Sequence, residues 1–242
     1  MGTQLIWRAA TRFHDWERKD KNFIYNMCHI LDENQLIGNF EWFSMGPKDV
    51  KISALNSNMS LKELLNYNPK RNNVFRIGAG GESPSRWELT LGLFPFQSSI
   101  GRVEGFNIIN IYFNANTLLN PSASDDLVKI FRLIHTPDNT EFAFIHPYQR
   151  YDELANPLFG QYHNPLTIGP MFTGITWCTF LGKEHLKLFQ ISNLQHIKAY
   201  EVNWTGQDGL FIRISQNVED TLTAETEKEM FKLTEEFRNA LI

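Results

Sequence analysis

The chain has 242 residues, of which 42% are hydrophobic, 13% aromatic and 21% charged, with a formal net charge of −4. That length suffices for one full core or two half-domains packed as one unit, and the acidic balance argues against nucleic acid as a ligand. No apolar run approaches the roughly 20 residues that cross a bilayer, no basic segment followed by a long apolar stretch marks a signal peptide, and two cysteines lack disulfide or metal spacing, so a reducing, cytoplasmic setting is expected.

Residues 4–13 read as an opening strand, with Asp15 as cap of the helix that follows. Trp16, Phe23, Ile24, Met27, Ile30 and Leu31 recur at three- and four-residue spacing, which predicts one buried helix face. A short strand is expected over 39–43, ended by Gly46-Pro47. Ser60-x-x-Glu63 before Leu64-Leu65 has the form of a capping box on a brief helix. The stretch 66–85, rich in Asn, Gly, Pro and Ser, predicts a loop. Residues 87–93 alternate as a strand should, and 107–113 are apolar enough for a central one. Residues 101–105 join them as an antiparallel hairpin.

A helix starting at Ser122 or Ser124 carries Leu127, Ile130, Phe131 and Ile134 on one stripe and ends at Thr136-Pro137. A strand follows over 141–145, then a short helix over 148–154 and an irregular segment to Pro170. Further on, the pattern predicts a strand over 175–179, a helix over 183–189, and a hairpin of 197–203 with 210–215 around Gly206-Gln-Asp-Gly209. The closing helix, 223–241, sets Met230, Leu233, Phe237 and Leu241 on one face. The reading is an α+β fold of two similar halves, 1–137 and 138–242. Each is an antiparallel sheet covered by helices, the two packed as one compact body. Cys28 and Cys178 read as small buried hydrophobes.

The charge is uneven. Residues 1–76 hold 11 Lys and Arg against 8 Asp and Glu, whereas residues 77–242 hold 12 against 19. The acid gathers at the end, where Glu219, Asp220, Glu225, Glu227, Glu229, Glu235 and Glu236 meet only Lys228, Lys232 and Arg238. Such a helix face is ordinarily just solvated, yet an acidic surface also speeds encounter with a basic partner.

Catalytic chemistry needs a constellation of groups. Gly78-Ala-Gly-Gly81 invites a phosphate loop, but no Gly-Lys-Ser/Thr follows, and a plain flexible turn is the better expectation. The seven histidines never take the i, i+4 spacing of a helical metal pair. His146, with Asp152 and Glu153 close by in sequence, is the best placed for a small hydrolase or transferase, and that reading needs His146 in a pocket rather than in the core. Cys178 lies in an apolar context, which raises a thiol pKa. For a binding surface, Tyr148, Arg150, Tyr151, Asp152 and Glu153 combine aromatic and charged side chains. Glu82 and Arg86 form a second candidate, Asp208 at the hairpin tip a third, and Glu229 and Glu236 on the acidic helix a fourth. Ordinary packing or turn geometry accounts equally well for Tyr148, Tyr151 and Asp208.

Several features taken together carry a resemblance. They are the opening strand with Trp7, the long first helix, the Asn/Gly-rich stretch before the Trp87 strand and the apolar 107–113 strand. The segment Gly174…Trp177…Leu181 and the hairpin Trp204…Gly209-Leu210 before the last helix complete the set. In this layout, over nearly the whole chain, the protein resembles the immunity protein 52 family of bacterial polymorphic-toxin systems. Ala9-Ala10 after Trp7-Arg8, and Cys178 after Trp177, depart from the family pattern. The resemblance implies a cytoplasmic antitoxin, without cofactor or catalytic site. It would bind a toxin encoded by a neighbouring gene, of the type VI secretion or Rhs kind, and occlude its active site. A nuclease is one such toxin. No toxin-contacting residue carries over from the family, and the oligomeric state stays open.

Overall fold

The computed structural model describes residues 4–12, 19–34, 37–38, 40–45, 50–53, 75–82, 86–97, 103–114, 121–147 and 174–242. Its organising element is β1 (Gln4–Arg12), which pairs antiparallel with β6 (Val103–Asn114) on one edge and with β7 (Thr140–Pro147) on the other. A strand in that position has no free edge, and with helices on both faces of the sheet it needs apolar side chains at odd and even positions alike. Its residues comply: Leu5, Trp7 and Ala9 enter one hydrophobic core, and Ile6 enters a second on the opposite face. A register shift between Ala10 and Thr11 marks a bulge toward β7.

The remaining strands are β2 (Trp42–Met45), β3 (Val50–Ser53), β4 (Phe75–Gly81), β5 (Trp87–Gln97), β8 (Cys178–Gly182), β9 (Glu201–Thr205) and β10 (Gly209–Arg213). All join one antiparallel sheet in the order β3-β2-β4-β5-β6-β1-β7-β8-β10-β9. The 1–137 half supplies β1 to β6 and the 138–242 half β7 to β10, so both halves share this sheet, with β1 against β7 as the seam.

Helices cover the sheet in two groups. On the first face lie α1 (Lys21–Asn34) and α2 (Pro121–Ile134), which bury Ile24, Met27, Cys28 and Leu31, and Leu127, Ile130, Phe131 and Ile134. On the second face lie the short α3 (Lys183–Leu186) and α4 (Ile191–Leu194) and the long α5 (Ala224–Asn239). Met230, Leu233 and Phe237 of α5 pack with Phe142, Phe144, Leu181, Leu210 and Ile212. Each such side chain contributes roughly 1.5–3 kcal/mol on burial. Thr223 caps α5 by accepting the backbone N–H of Thr226 at 3.3 Å, and Glu225 and Glu227 sit in the first turn, where the helix dipole favours them. The fold is α+β, and among the described residues no helix is long and apolar enough to cross a membrane.

The pattern-derived elements over 4–13, 87–93, 107–113, 122–134, 141–145 and 223–241 correspond to β1, β5, β6, α2, β7 and α5. Elsewhere the boundaries move. The early short strand is 42–45 rather than 39–43, the tryptophan-bearing strand is 178–182 rather than 175–179, and the hairpin strand is 201–205 rather than 197–203. The helix after β8 stops at Leu186. The largest correction concerns 66–85, of which Phe75–Gly81 is not a loop but β4, between β2 and β5. Its glycines are there for close approach: a Cβ on Gly80 would sit 2.5 Å from the Trp87 carbonyl oxygen and 2.6 Å from Cζ2 of Trp42. The glycine run is therefore neither a phosphate cradle nor a turn. The helix expected at Ser60 and the one expected over 148–154 lie outside the described residues.

Both cysteines are buried, as their context predicts. Burial pushes the Cys28 thiol up to about 12 and raises Cys178 well above its ordinary value. A more consequential buried group is His135. Trp7 Nε1 donates to its Nε2 at 2.8 Å, so the ring proton resides on Nδ1, 2.9 Å from Thr140 Oγ1. Thr140 passes the chain on to Asn139 Oδ1, and Asn139 Nδ2 caps the Ile134 carbonyl at the end of α2. Burial lowers the His135 pKa to about 3.

The neutral ring is thus the folded form. The unfolded chain, with an ordinary pKa near 6.5, binds the proton first as pH falls. Stability attached to His135 is complete above about pH 6.5 and declines toward pH 3, by roughly 4 kcal/mol over that window. Denaturant midpoints measured from pH 7 to pH 4 should fall steadily. In His135→Phe the value at pH 7 should be lower and the slope with pH shallower.

Candidate functional site

Where α5 passes the start of β9, the second face of the sheet leaves a groove of about 550 Å³. Its helical wall is Glu229, Lys232, Leu233 and Glu236, whose spacing of three and four places them on one stripe. The facing wall is His196, Lys198, Ala199 and Tyr200, and Ile214 lies at the base. Sequence alone separates these walls by about thirty residues; the docking of α5 brings them together. Ile197, buried in the second core, anchors the 196–200 wall, and its N–H donates to the Leu194 carbonyl. Lys232 Nζ lies 3.8 Å from Glu236 Oε1, so the groove carries both signs of charge.

Tyr200 is the aromatic side chain of the groove, 56% exposed. It is nevertheless held. The guanidinium of Arg213 lies 5.3 Å from the Tyr200 ring centroid and 5.6 Å from that of Trp177. Arg213 is only 4% exposed and is fully engaged: it pairs with Asp125 at 2.7 Å, donates from Nε to the Ser215 carbonyl at 3.0 Å, and reaches the Gln216 carbonyl. Trp177, wholly buried, donates to the same Ser215 carbonyl. The segment Gly174–Leu181 that stands out in the sequence therefore serves to fix Arg213, and through it a projecting tyrosine.

The sequence-derived candidates do not all converge. Glu229 and Glu236 line the groove. Asp208 sits at the far end of the β9–β10 hairpin, 3.3 Å from Lys183 Nζ. Glu82 and Arg86, 3.8 Å apart and exposed, belong to the β4–β5 connection, and β5 is five strands from β10, about 24 Å at 4.8 Å per strand. Tyr148, Arg150, Tyr151, Asp152 and Glu153 lie outside the described residues. His146 is fully buried in β7, opposite Ile6 in β1, which is not the pocket that a His146-based enzyme requires. Among the described residues no three His, Cys, Asp or Glu side chains are grouped to hold a metal.

Sequence reasoning missed His196, Lys198 and Tyr200. The available signal was the pairing of a tyrosine at a strand start with an arginine on the next strand. An exposed, immobilised aromatic beside charges of both signs suits a protein contact, where rigid anchors lose little entropy on binding. Arg213→Ala should lower unfolding stability by about 2–4 kcal/mol, since buried carbonyls lose their donor and the Asp125 pair is broken. Arg213→Lys should recover less than half of that loss in the same denaturant titration, because an ammonium cannot reproduce the fork.

No protein-family model matches the chain, and no curated protein matches it in sequence. Among solved structures the chain is similar to the T6SS protein PA0821 of Pseudomonas aeruginosa. The two agree with a TM-score of 0.58 over 97% of this chain and 74% of that one, at 13% identity, a likeness of fold.

Proposed function

We propose that this chain is a T6SS-associated immunity protein, which binds a cognate secreted toxin and covers or distorts its active site. The observation that carries the reading is the fold it has in common with a T6SS protein over nearly its whole length. The layout resemblance to immunity protein 52 points the same way. The groove between α5 and the 196–200 wall is the contact surface in this reading, with Tyr200 as the aromatic anchor and Glu229 and Glu236 as the charged ones. Neutralisation requires only a tight interface, on the order of 1,200–2,000 Å² in total, and no chemistry on the part of the antitoxin. The acidic balance of residues 77–242 suits a basic toxin and gives its approach a salt-dependent rate.

The test is calorimetric titration against the purified product of the neighbouring gene, together with co-expression of the two. One-to-one binding with a Kd on the order of 10⁻⁹ M, about −12 kcal/mol, and rescue of growth are expected. A folded neighbour that shows neither binding nor toxicity relieved by this chain would remove the reading. The double variant Glu229→Lys, Glu236→Lys should weaken binding by about 10- to 100-fold, mostly through slower association at low salt. Glu82→Gln, on the far side of the sheet, should change it by less than about twofold.

A further inference from the structure

We propose that the groove takes a toxin segment of fixed polarity, one that turns a lysine or arginine toward α5 and an aspartate or glutamate toward the 196–200 wall. The inference rests on the toxin-binding reading and adds to it the chemistry of the occupant. What carries it is the disposition of charge. On the helical wall Lys232 and Glu236 answer each other at 3.8 Å. That leaves Glu229 as the uncompensated charge of this wall, and Lys198 is the charge of the facing one. Among the described residues, neither Glu229 nor Lys198 enters an ion pair or a hydrogen bond, whether with each other or with a third group. The groove is therefore negative along one side and positive along the other, and its two sides do not close on each other.

Each wall selects. A uniformly basic segment would set a cation against Lys198, and a uniformly acidic one an anion against Glu229. Like charges brought together at an interface penalise the wrong partner. A segment with both signs, in the right order, meets both walls with opposite charge. Between those charges Leu233 and Ile214, each only 4% exposed, give an apolar strip for an aliphatic or aromatic side chain of the occupant. A free small zwitterion carries the same two charges, but the groove is too open for it. Tyr200 is 56% exposed and the Lys232 side chain 79%, whereas small-molecule sites enclose most of their ligand's surface. A protein segment needs no such enclosure, because the rest of a wider interface covers it.

Binding kinetics against the purified product of the neighbouring gene test the proposal, with Lys198→Glu as the deciding variant. This substitution makes the groove more acidic, so an acidic field alone would speed association with a basic toxin and tighten the complex. With fixed polarity it turns an attraction into a repulsion, and affinity should fall about tenfold, mostly through faster dissociation. Lys198 is exposed, so the thermal midpoint of the free chain should not change. Reversal of one toxin carboxylate to lysine should recover at least about threefold of the loss in Lys198→Glu, and reversal of one toxin cation to glutamate should do the same for Glu229→Lys. Binding by the wild-type chain that Lys198→Glu leaves unchanged or tightens, or a loss that no toxin reversal recovers, overturns the fixed polarity and leaves the toxin-binding reading standing. A folded neighbour that the wild-type chain does not bind overturns both.

Discussion

The double pairing of β1 is the constraint from which the rest of the architecture follows. A strand hydrogen-bonded on both edges and packed on both faces has to contribute to two cores at once. Trp7 and Ile6, neighbours in sequence, therefore belong to different hydrophobic bodies. The sheet becomes a partition. α1 and α2 fill one side, α5 and the short helices fill the other, and each side can be built only from chain that comes after β1. The groove lies at the margin of the second body, between α5 and the segment that leads into the last strand of the sheet order.

Polar side chains tie these layers together. Trp7, His135, Thr140 and Asn139 link the central strand to the end of α2. On the opposite flank of β7, the buried Glu141 pairs with Arg12 of β1 and accepts the backbone N–H of Glu184 at the start of α3. Arg213 performs the same office for β10, α2 and the groove. In each case a buried polar atom has its partner in a different element, so the bonds specify how the elements are set against each other more than they add net stability. Tyr200 profits from that specification: it projects into solvent from a wall whose backing is fixed at three points.

Legibility followed side-chain information. Residues 107–113 and the α2 stripe declare themselves because every position has an apolar or polar identity that a period of 2 or 3.6 can sort. Phe75–Gly81 does not, because Gly78, Gly80 and Gly81 say nothing about which face is buried; the reason for Gly78 is the Ser44 side chain, and for Gly80 the Trp42 indole and the Trp87 carbonyl, all on neighbouring strands. Strand boundaries near Trp177 and Trp204 drifted by three or four residues for a related reason: the flanking segments 174–177 and 197–200 are as buried or apolar as the strands they precede. Of the groove, Glu229 and Glu236 could be picked out from the acidic run, but their facing wall could not. Little in His196–Tyr200 marks it beyond a tyrosine at a strand start with an arginine on the next strand, and the docking of α5 gives it its role.

The partition also sets an order of assembly. β1 must wait for partners made more than a hundred residues later, as the 128-residue separation of Trp7 and His135 illustrates. At about 5–20 residues per second on the ribosome, that interval is roughly 5 to 25 s. Through it, an apolar strand stands without a ladder on either side, and the long loop it must close slows the search. A chain arrested before β7 would expose both the Ile6 face and the open edge of β1. Surface of that kind is prone to aggregate, so the order of synthesis, and not only the finished fold, bears on how safely this chain is made.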